Sequence, residues 1–291
     1  MQLEAFAKIN WSLDICGVRE DGYHLMDMIM QPISLCDDII LLPASDLSIT
    51  TGGFPPSRAD ESNLAMKAAR ALQRCAKTSQ GARIHLYKRI PMGAGLGGGS
   101  ADAAAVLIGL NRMWKTGLSE TELASVGLSV GADVPFCLSG GLKRVRGIGE
   151  EMEEYPCRLN YWLLVFQPCR GLSTKIIFES YDASRVRHPD TENALLALKE
   201  ANLPLLEKSI GNVLEPVSAA LRPEIDAAIS RLHGHGALIS AMSGSGSAVF
   251  GVFSSRENAL KAKDILSREY RHIHLCHTQS DSIRFSEDEA E

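Results

Sequence analysis

Strand-like alternation opens the chain. Leu3, Ala5, Ala7, Ile9, Trp11, Leu13 and Ile15 fall on one face, which predicts a strand over 3–15. The polar stretch Gly17-Val-Arg-Glu-Asp-Gly-Tyr-His24 reads as a turn with Asp21-Gly22 at its tip. Further strands are predicted over 33–42, 47–51 and 82–88. Leu64, Ala68, Ala71, Leu72 and Cys75 have helical spacing and predict a helix over 63–77. A second helix over 100–114 would bury Ala104, Leu107, Ile108 and Leu110. Ser119-Glu-Thr-Glu122 is a capping box that opens a third, and Pro135 suits the first turn of a short one. The fully apolar run Tyr161-Trp-Leu-Leu-Val-Phe166 predicts a buried central strand. Residues 190–234 are helical in pattern, punctuated by Pro204, Pro216 and Pro223. A strand over 237–241, a loop over 242–247, a strand over 248–253, a helix over 255–270 and a strand over 272–277 follow.

The class is therefore α+β. The charged stretch 147–156 divides it, giving expected domains at 1–152 and 153–285. The acidic tail 286–291 is expected to be disordered.

Composition narrows the function. Apolar residues make up 45% and charged residues 22% of 291, and the formal charge is −5. Such a chain has no electrostatic reason to seek nucleic acid or an anionic membrane. No segment looks able to span a bilayer, and Glu4 and Lys8 interrupt the N-terminus before a signal peptide could develop. Seven scattered cysteines without a C-x-x-C pair suggest a reduced, cytoplasmic protein. Any phosphate it binds must be held by local geometry.

That geometry is offered by Pro91-Met-Gly-Ala-Gly-Leu-Gly-Gly-Gly-Ser-Ala101, a glycine-rich loop between a strand and a helix. Its glycines let the backbone approach an anion, and the helix start adds unpaired N–H groups and the positive end of a dipole. G-x-x-x-x-G-K-[ST] is absent. Gly93, Gly95 and Gly98 match G-x-G-x-x-G, but the dinucleotide reading needs an acidic strand end about 20 residues on, where a capping box stands instead. A flexible linker would need no such ordered flanks.

The segment Pro91–Ala101, continued by Asp102-Ala-Ala, resembles the central motif of the GHMP kinases, named for galacto-, homoserine, mevalonate and phosphomevalonate kinases. Ala7-Lys-Ile-Asn10 resembles that family's first motif and Met242-Ser-Gly-Ser-Gly-Ser-Ala-Val-Phe-Gly251 its third. The resemblance implies an N-terminal domain like ribosomal protein S5 domain 2 and a C-terminal ferredoxin-like α/β sandwich. Asp21-Gly-Tyr-His24 and Gly131-Ala-Asp-Val-Pro-Phe136 are similar to one branch of the family. That branch phosphorylates the 2-hydroxyl of 4-diphosphocytidyl-2-C-methyl-D-erythritol in the non-mevalonate isoprenoid route; the alternatives are another kinase of the family, of the homoserine or mevalonate type, and a non-catalytic ATP-binding protein on the same fold.

The implied partners are ATP with Mg²⁺ and a small cytidine diphosphate substrate, with monomer and homodimer both open. The implied ATP site is Pro91, Met92, Gly93, Ala94, Gly95, Leu96, Gly97, Gly98, Gly99, Ser100 and Ala101, with Asn63 near adenine. Asn63 also reads as a helix N-cap. Asp133 is the implied base, since a carboxylate there can accept a hydroxyl proton. Lys8 is its implied partner, neutralising charge on the transferring phosphoryl. The plain alternatives are an N-cap at Asp133 and a solvated strand lysine at Lys8. Tyr23 and His24 suit a pyrimidine by stacking and edge hydrogen bonding. Phe178 matches a stacking position or a core residue, and Asn10 the methylerythritol contact. Ser100 and Ser245 could reach phosphate. No pair of carboxylates suggests a protein metal cage. His272, His274 and Cys276 share a strand face, which fits zinc or a half-buried edge strand.

Overall fold

The computed structural model describes residues 1–54, 56–157, 161–183 and 186–286. β1 (Gln2–Val18) and β2 (His24–Ala44) form a long hairpin through the predicted turn, with Gly22 at φ 85°. β3 (Leu47–Gly53), α1 (Leu64–Ala76) and β4 (Gly81–Lys88) make a βαβ unit, β3 lying parallel to β4. The glycine loop follows and passes into α2 (Gly98–Trp114). α3 (Glu120–Val130) starts at the predicted capping box, in which Ser119 and Glu122 bond reciprocally. α4 (Val134–Ser139) carries Pro135 in its first turn.

β5 (Leu142–Gly147) and β6 (Glu151–Tyr155) then form a hairpin in the stretch expected to be a linker. The charges of β6 mask a strand that is exposed along most of its length. β7 (Trp162–Phe166), α5 (Thr174–Glu179), α6 (Thr191–Glu200), α7 (Leu203–Ser209), α8 (Glu215–Leu221) and α9 (Glu224–Gly234) lead to β8 (Ile239–Met242) and β9 (Val249–Phe253). α10 (Arg256–Leu266), β10 (His274–His277) and β11 (Ile283–Phe285) close the chain.

Seven strands form the first sheet, ordered β11-β1-β2-β4-β3, with β5 on β2 and β6 on β5. The second sheet is ordered β10-β7-β9-β8, and its neighbours pair antiparallel. Taken as strands one to four of their domain, that order is 4-1-3-2 with helical crossovers, the ferredoxin-like arrangement implied above. The expected division at 152/153 falls inside β6, and β11 pairs with β1 of the first sheet. The acidic tail, apart from Ser286, lies outside the described residues.

Register shifts in the β1–β2 pairing decide where the site forms. The single face expected from 3 to 15 does not exist. Register shifts at Phe6/Lys8 and Asn10/Ser12 turn Ala7, Ile9 and Trp11 toward the second sheet, where Trp11 meets Tyr161 and Phe250 edge-on. Leu3, Ala5, Leu13 and Ile15 pack in the other core, with α1 and α2. The first shift leaves two extra residues on β2 and the second leaves one extra residue on β1, and the apolar odd positions of β1 change core at each. Lys8 and Asn10 are thereby turned away from the inter-sheet core.

Candidate active site

A cavity of about 1070 Å³ is lined by the glycine loop, by Lys8 and Asn10 of β1, and by Asp133. Gly97 is left-handed at φ 70° and ends the loop two residues earlier than expected, so Gly98 and Gly99 already belong to α2. The first intrahelical bond runs from the Ala101 N–H to the Gly97 carbonyl. The N–H groups of Gly98, Gly99 and Ser100 precede it and carry the positive end of the helix dipole. A Cβ on Gly97 would lie 3.0 Å from Lys8 Cγ, so the loop rests on the lysine stem.

The three expected motifs meet here. The Lys8 N–H donates to Leu96 O at 3.0 Å, and the Asn10 N–H donates to Ser243 Oγ at 3.1 Å. Ser243 Oγ in turn donates to Gly95 O at 3.0 Å. Gly95, at φ 80°, approaches so closely that a Cβ there would fall 2.0 Å from Ser243 O. The loop after β8 therefore braces the loop after β4. Its own footing includes Asn212 Nδ2, which donates to Met242 O and Gly244 O, and Glu215, which accepts the Met242 N–H at 2.8 Å. Burial pushes the Glu215 carboxyl up.

Lys8 is 4% exposed; its ammonium donates to Asn10 Oδ1 at 2.6 Å and lies 3.5 Å from Asp133 Oδ2. Asp133 occupies the N-cap position of α4 but its side chain makes no cap bond, and 34% of that side chain remains open. Lys8 is thus no solvated strand lysine, while Asp133 holds the N-cap position with its side chain left free of the cap bond. Asn63 is a cap: Oδ1 accepts the Ala65 N–H, while Nδ2 donates to Ser57 Oγ and Arg58 O on the cavity rim. Ala101 is fully buried and is absent from the cavity wall, unlike the rest of the expected ATP set.

At another part of the wall, Tyr23, His24 and Phe178 come together. Tyr23 is 62% exposed. The rings of His24 and Phe178 lie 5.0 Å apart at 40°, and Tyr181 meets His24 edge-on. Phe178 sits on α5, not on a strand, and is half-buried against the core. Thr174, at the start of α5, shares a 3.0 Å hydrogen bond with Ser245.

Ile148, Thr174 and Lys88 are among the wall residues left unassigned in the sequence. Ile148 sits in the β5–β6 turn that was expected to be linker. Thr174 carried no signal. Lys88 did carry one, because it continues the inward phase of Ile84 and Leu86 in β4. It bonds to Asp37 and Asp102, and all three are buried.

His272, His274 and Cys276 do not bring their ligand atoms together. His272 stacks on Phe54 with centroids 4.3 Å apart, Cys276 is buried, and burial pushes His274 down to about 4. β10 is the edge strand of its sheet. Among the described residues, only Glu4, Cys36 and Asp38 lie close enough to share an ion, and Arg284 and Arg89 already pair with the two carboxylates. None of the described helices is long and apolar enough to cross a membrane.

Comparison with known proteins gives concordant matches. The family model of the GHMP kinases N terminal domain matches residues 63–141, and that of the GHMP kinases C terminal domain matches residues 194–272. A 4-diphosphocytidyl-2-C-methyl-D-erythritol kinase of Alkaliphilus oremlandii is 41% identical, covering 95% of this chain and 96% of the relative. Its counterpart in Clostridium tetani is 38% identical over 96% and 100%. A crystal structure of a 4-(cytidine 5'-diphospho)-2C-methyl-D-erythritol kinase superposes with a TM-score of 0.83 at 32% identity, covering 96% of this chain and all of that one.

Proposed function

The chain belongs to the GHMP kinases, and from that premise we propose that it transfers the γ-phosphoryl group of ATP to the 2-hydroxyl of 4-diphosphocytidyl-2-C-methyl-D-erythritol. As a member of that family it is an ATP-dependent small-molecule kinase. The observation that carries the acceptor is the grouping of Tyr23, His24 and Phe178 on the same cavity wall as Lys8 and Asp133.

Magnesium accompanying ATP would neutralise charge on its phosphates. The N–H groups at the start of α2 and the glycine loop cradle those phosphates. Phosphoryl transfer through a loose transition state asks mainly for positioning and charge stabilisation. Lys8, fixed by Asn10, presents a positive charge toward the transferring group. Asp133, open to the cavity, accepts the proton of the acceptor hydroxyl as the O–P bond forms. The ADP oxygen leaves with its electron pair. Tyr23 and Phe178 stack on cytosine, and the His24 imidazole reads its edge; Asn10 contacts the methylerythritol part.

The test is a coupled ADP-release assay over diphosphocytidyl methylerythritol, mevalonate and homoserine. Turnover is expected with the first alone. Turnover with mevalonate or homoserine at a comparable rate would remove the cytidine assignment, since neither carries a base.

A further inference from the structure

Three charges are buried behind the phosphate-binding loop, and phosphoryl transfer as described does not use them. Lys88 ends β4, Asp37 lies in β2 and Asp102 lies in the second turn of α2. Their exposures are 2%, 0% and 2%. The Lys88 ammonium donates to Oδ2 of both carboxylates. Asp37 Oδ1 also accepts the N–H groups of Arg89, at 2.5 Å, and Ile90, at 2.9 Å. These two residues lead directly into Pro91. One carboxylate therefore holds the entry of the loop and the other holds its exit, with Lys88 joining them. Ile90 reinforces this closure: a Cβ on Gly98 would fall 2.8 Å from its side chain.

Desolvating three charges costs several kcal/mol per ion, and a well-packed apolar cluster is often no less stable. A stability role alone does not call for this chemistry at this place. Lys88 and Asp102 also line the cavity. Two carboxylates share one ammonium, and Asp102 Oδ1 is buried without a hydrogen-bond partner. The other groups facing Asp102 do not offset that charge. The thiol of Cys137 on α4 is pushed up by burial and stays neutral. α1 and α3 bury only apolar residues and glycine. Lys8 of β1 is already engaged with Asn10 and Asp133.

We infer that Lys88, Asp37 and Asp102 are positioning residues that hold the two ends of the phosphate-binding loop together, and that this cluster takes up a solvent proton on Asp102 when nucleotide binds. The inference rests on the loop being the nucleotide site. A polyphosphate brought to this wall adds negative charge beside an under-neutralised pair of carboxylates, and protonating one removes the repulsion. Burial already pushes Asp102 up to about 7, with Asp37 adding to the push and Lys88 opposing it. The sign follows. Below that range the proton is present and nucleotide affinity is highest. As pH rises through it, binding must recruit the proton and affinity falls.

The experiment is calorimetric titration of the full chain with MgADP at about pH 7.5, in buffers of different ionisation enthalpy, where the nucleotide has already lost its own last proton. The wild type is expected to take up a fraction of a proton. Its affinity should weaken by up to roughly tenfold from about pH 6.5 to 8.5. Asp102→Asn should show neither effect. Lys88→Met should lose roughly tenfold or more in MgADP affinity while the acceptor KM stays within about twofold. MgADP binding by the wild type without proton uptake overturns the proton step, and this arm needs no variant to fold. A Lys88→Met protein that loses thermal stability but keeps nucleotide affinity overturns the positioning role. If the wild type fails to bind MgADP at all, the kinase reading fails and this inference falls with it.

Discussion

Two lysine–aspartate assemblies border the same cavity and differ in almost everything except composition. Lys8 and Asp133 stand 3.5 Å apart, with a third of the Asp133 side chain open. Lys88, Asp37 and Asp102 are almost wholly buried; Lys88 bonds both carboxylates, and Asp37 also holds the backbone. A base must reach its proton, so it needs a loose partner and an open face. A brace must not move, so it needs complete burial and several bonds. The same two residue types serve either end depending on burial, because the penalty for breaking a buried ion pair far exceeds that for an exposed one.

The sharpest break of this comparison is Asp133→Asn. Turnover should fall by about 10² to 10⁴, the usual worth of a general base, with MgADP affinity and urea stability nearly unchanged. Normal turnover would end the assignment. Asp37→Asn should show the opposite profile. Weakening the ion pair that holds the loop entry should cost about 3 kcal/mol of stability in urea unfolding. A variant as stable as the wild type would place the cluster with the weak surface pairs.

Gly95→Ala probes the contact between the two glycine loops. Its Cβ would collide with Ser243 O, so a cost on the order of 1–3 kcal/mol should appear as a raised KM for ATP. An unchanged KM would mean that the loops do not brace each other. His24→Ala is the mildest change. It should weaken the cytidine acceptor by roughly threefold to tenfold and leave ATP affinity alone, in line with the modest worth of one aromatic contact. Equal losses for both substrates would remove the pyrimidine role.

Local signals were legible where one stretch of chain carries the whole cause. The capping box at Ser119, the cap at Asn63, the apolar strand at 162–166 and the loop between β4 and α2 all belong to that kind. The β5–β6 hairpin was illegible because β6 is charged and exposed, so its pairing with β5 leaves no clear apolar phase. β11 has three residues and exists only because β1 offers it an edge. In the site, the three motifs were visible as words, but not that Ser243 bonds both Asn10 and Gly95.

By itself, then, the sequence determined most of the elements, the glycine loop and the residue types that line the site, since these follow from propensity, periodicity and spacing within short windows. Only the tertiary structure decided that Ala7, Ile9 and Trp11 enter a different core from Leu3, Ala5 and Leu13, because two register shifts between β1 and β2 change the facing and no local pattern announces them. It alone decided that Asp133 stays open while Asp37 and Asp102 are closed, because burial is set by what distant segments pack against. Lys88 marks the border between the two. Its inward phase was written in β4, but its meaning came from the two carboxylates that β2 and α2 bring to it.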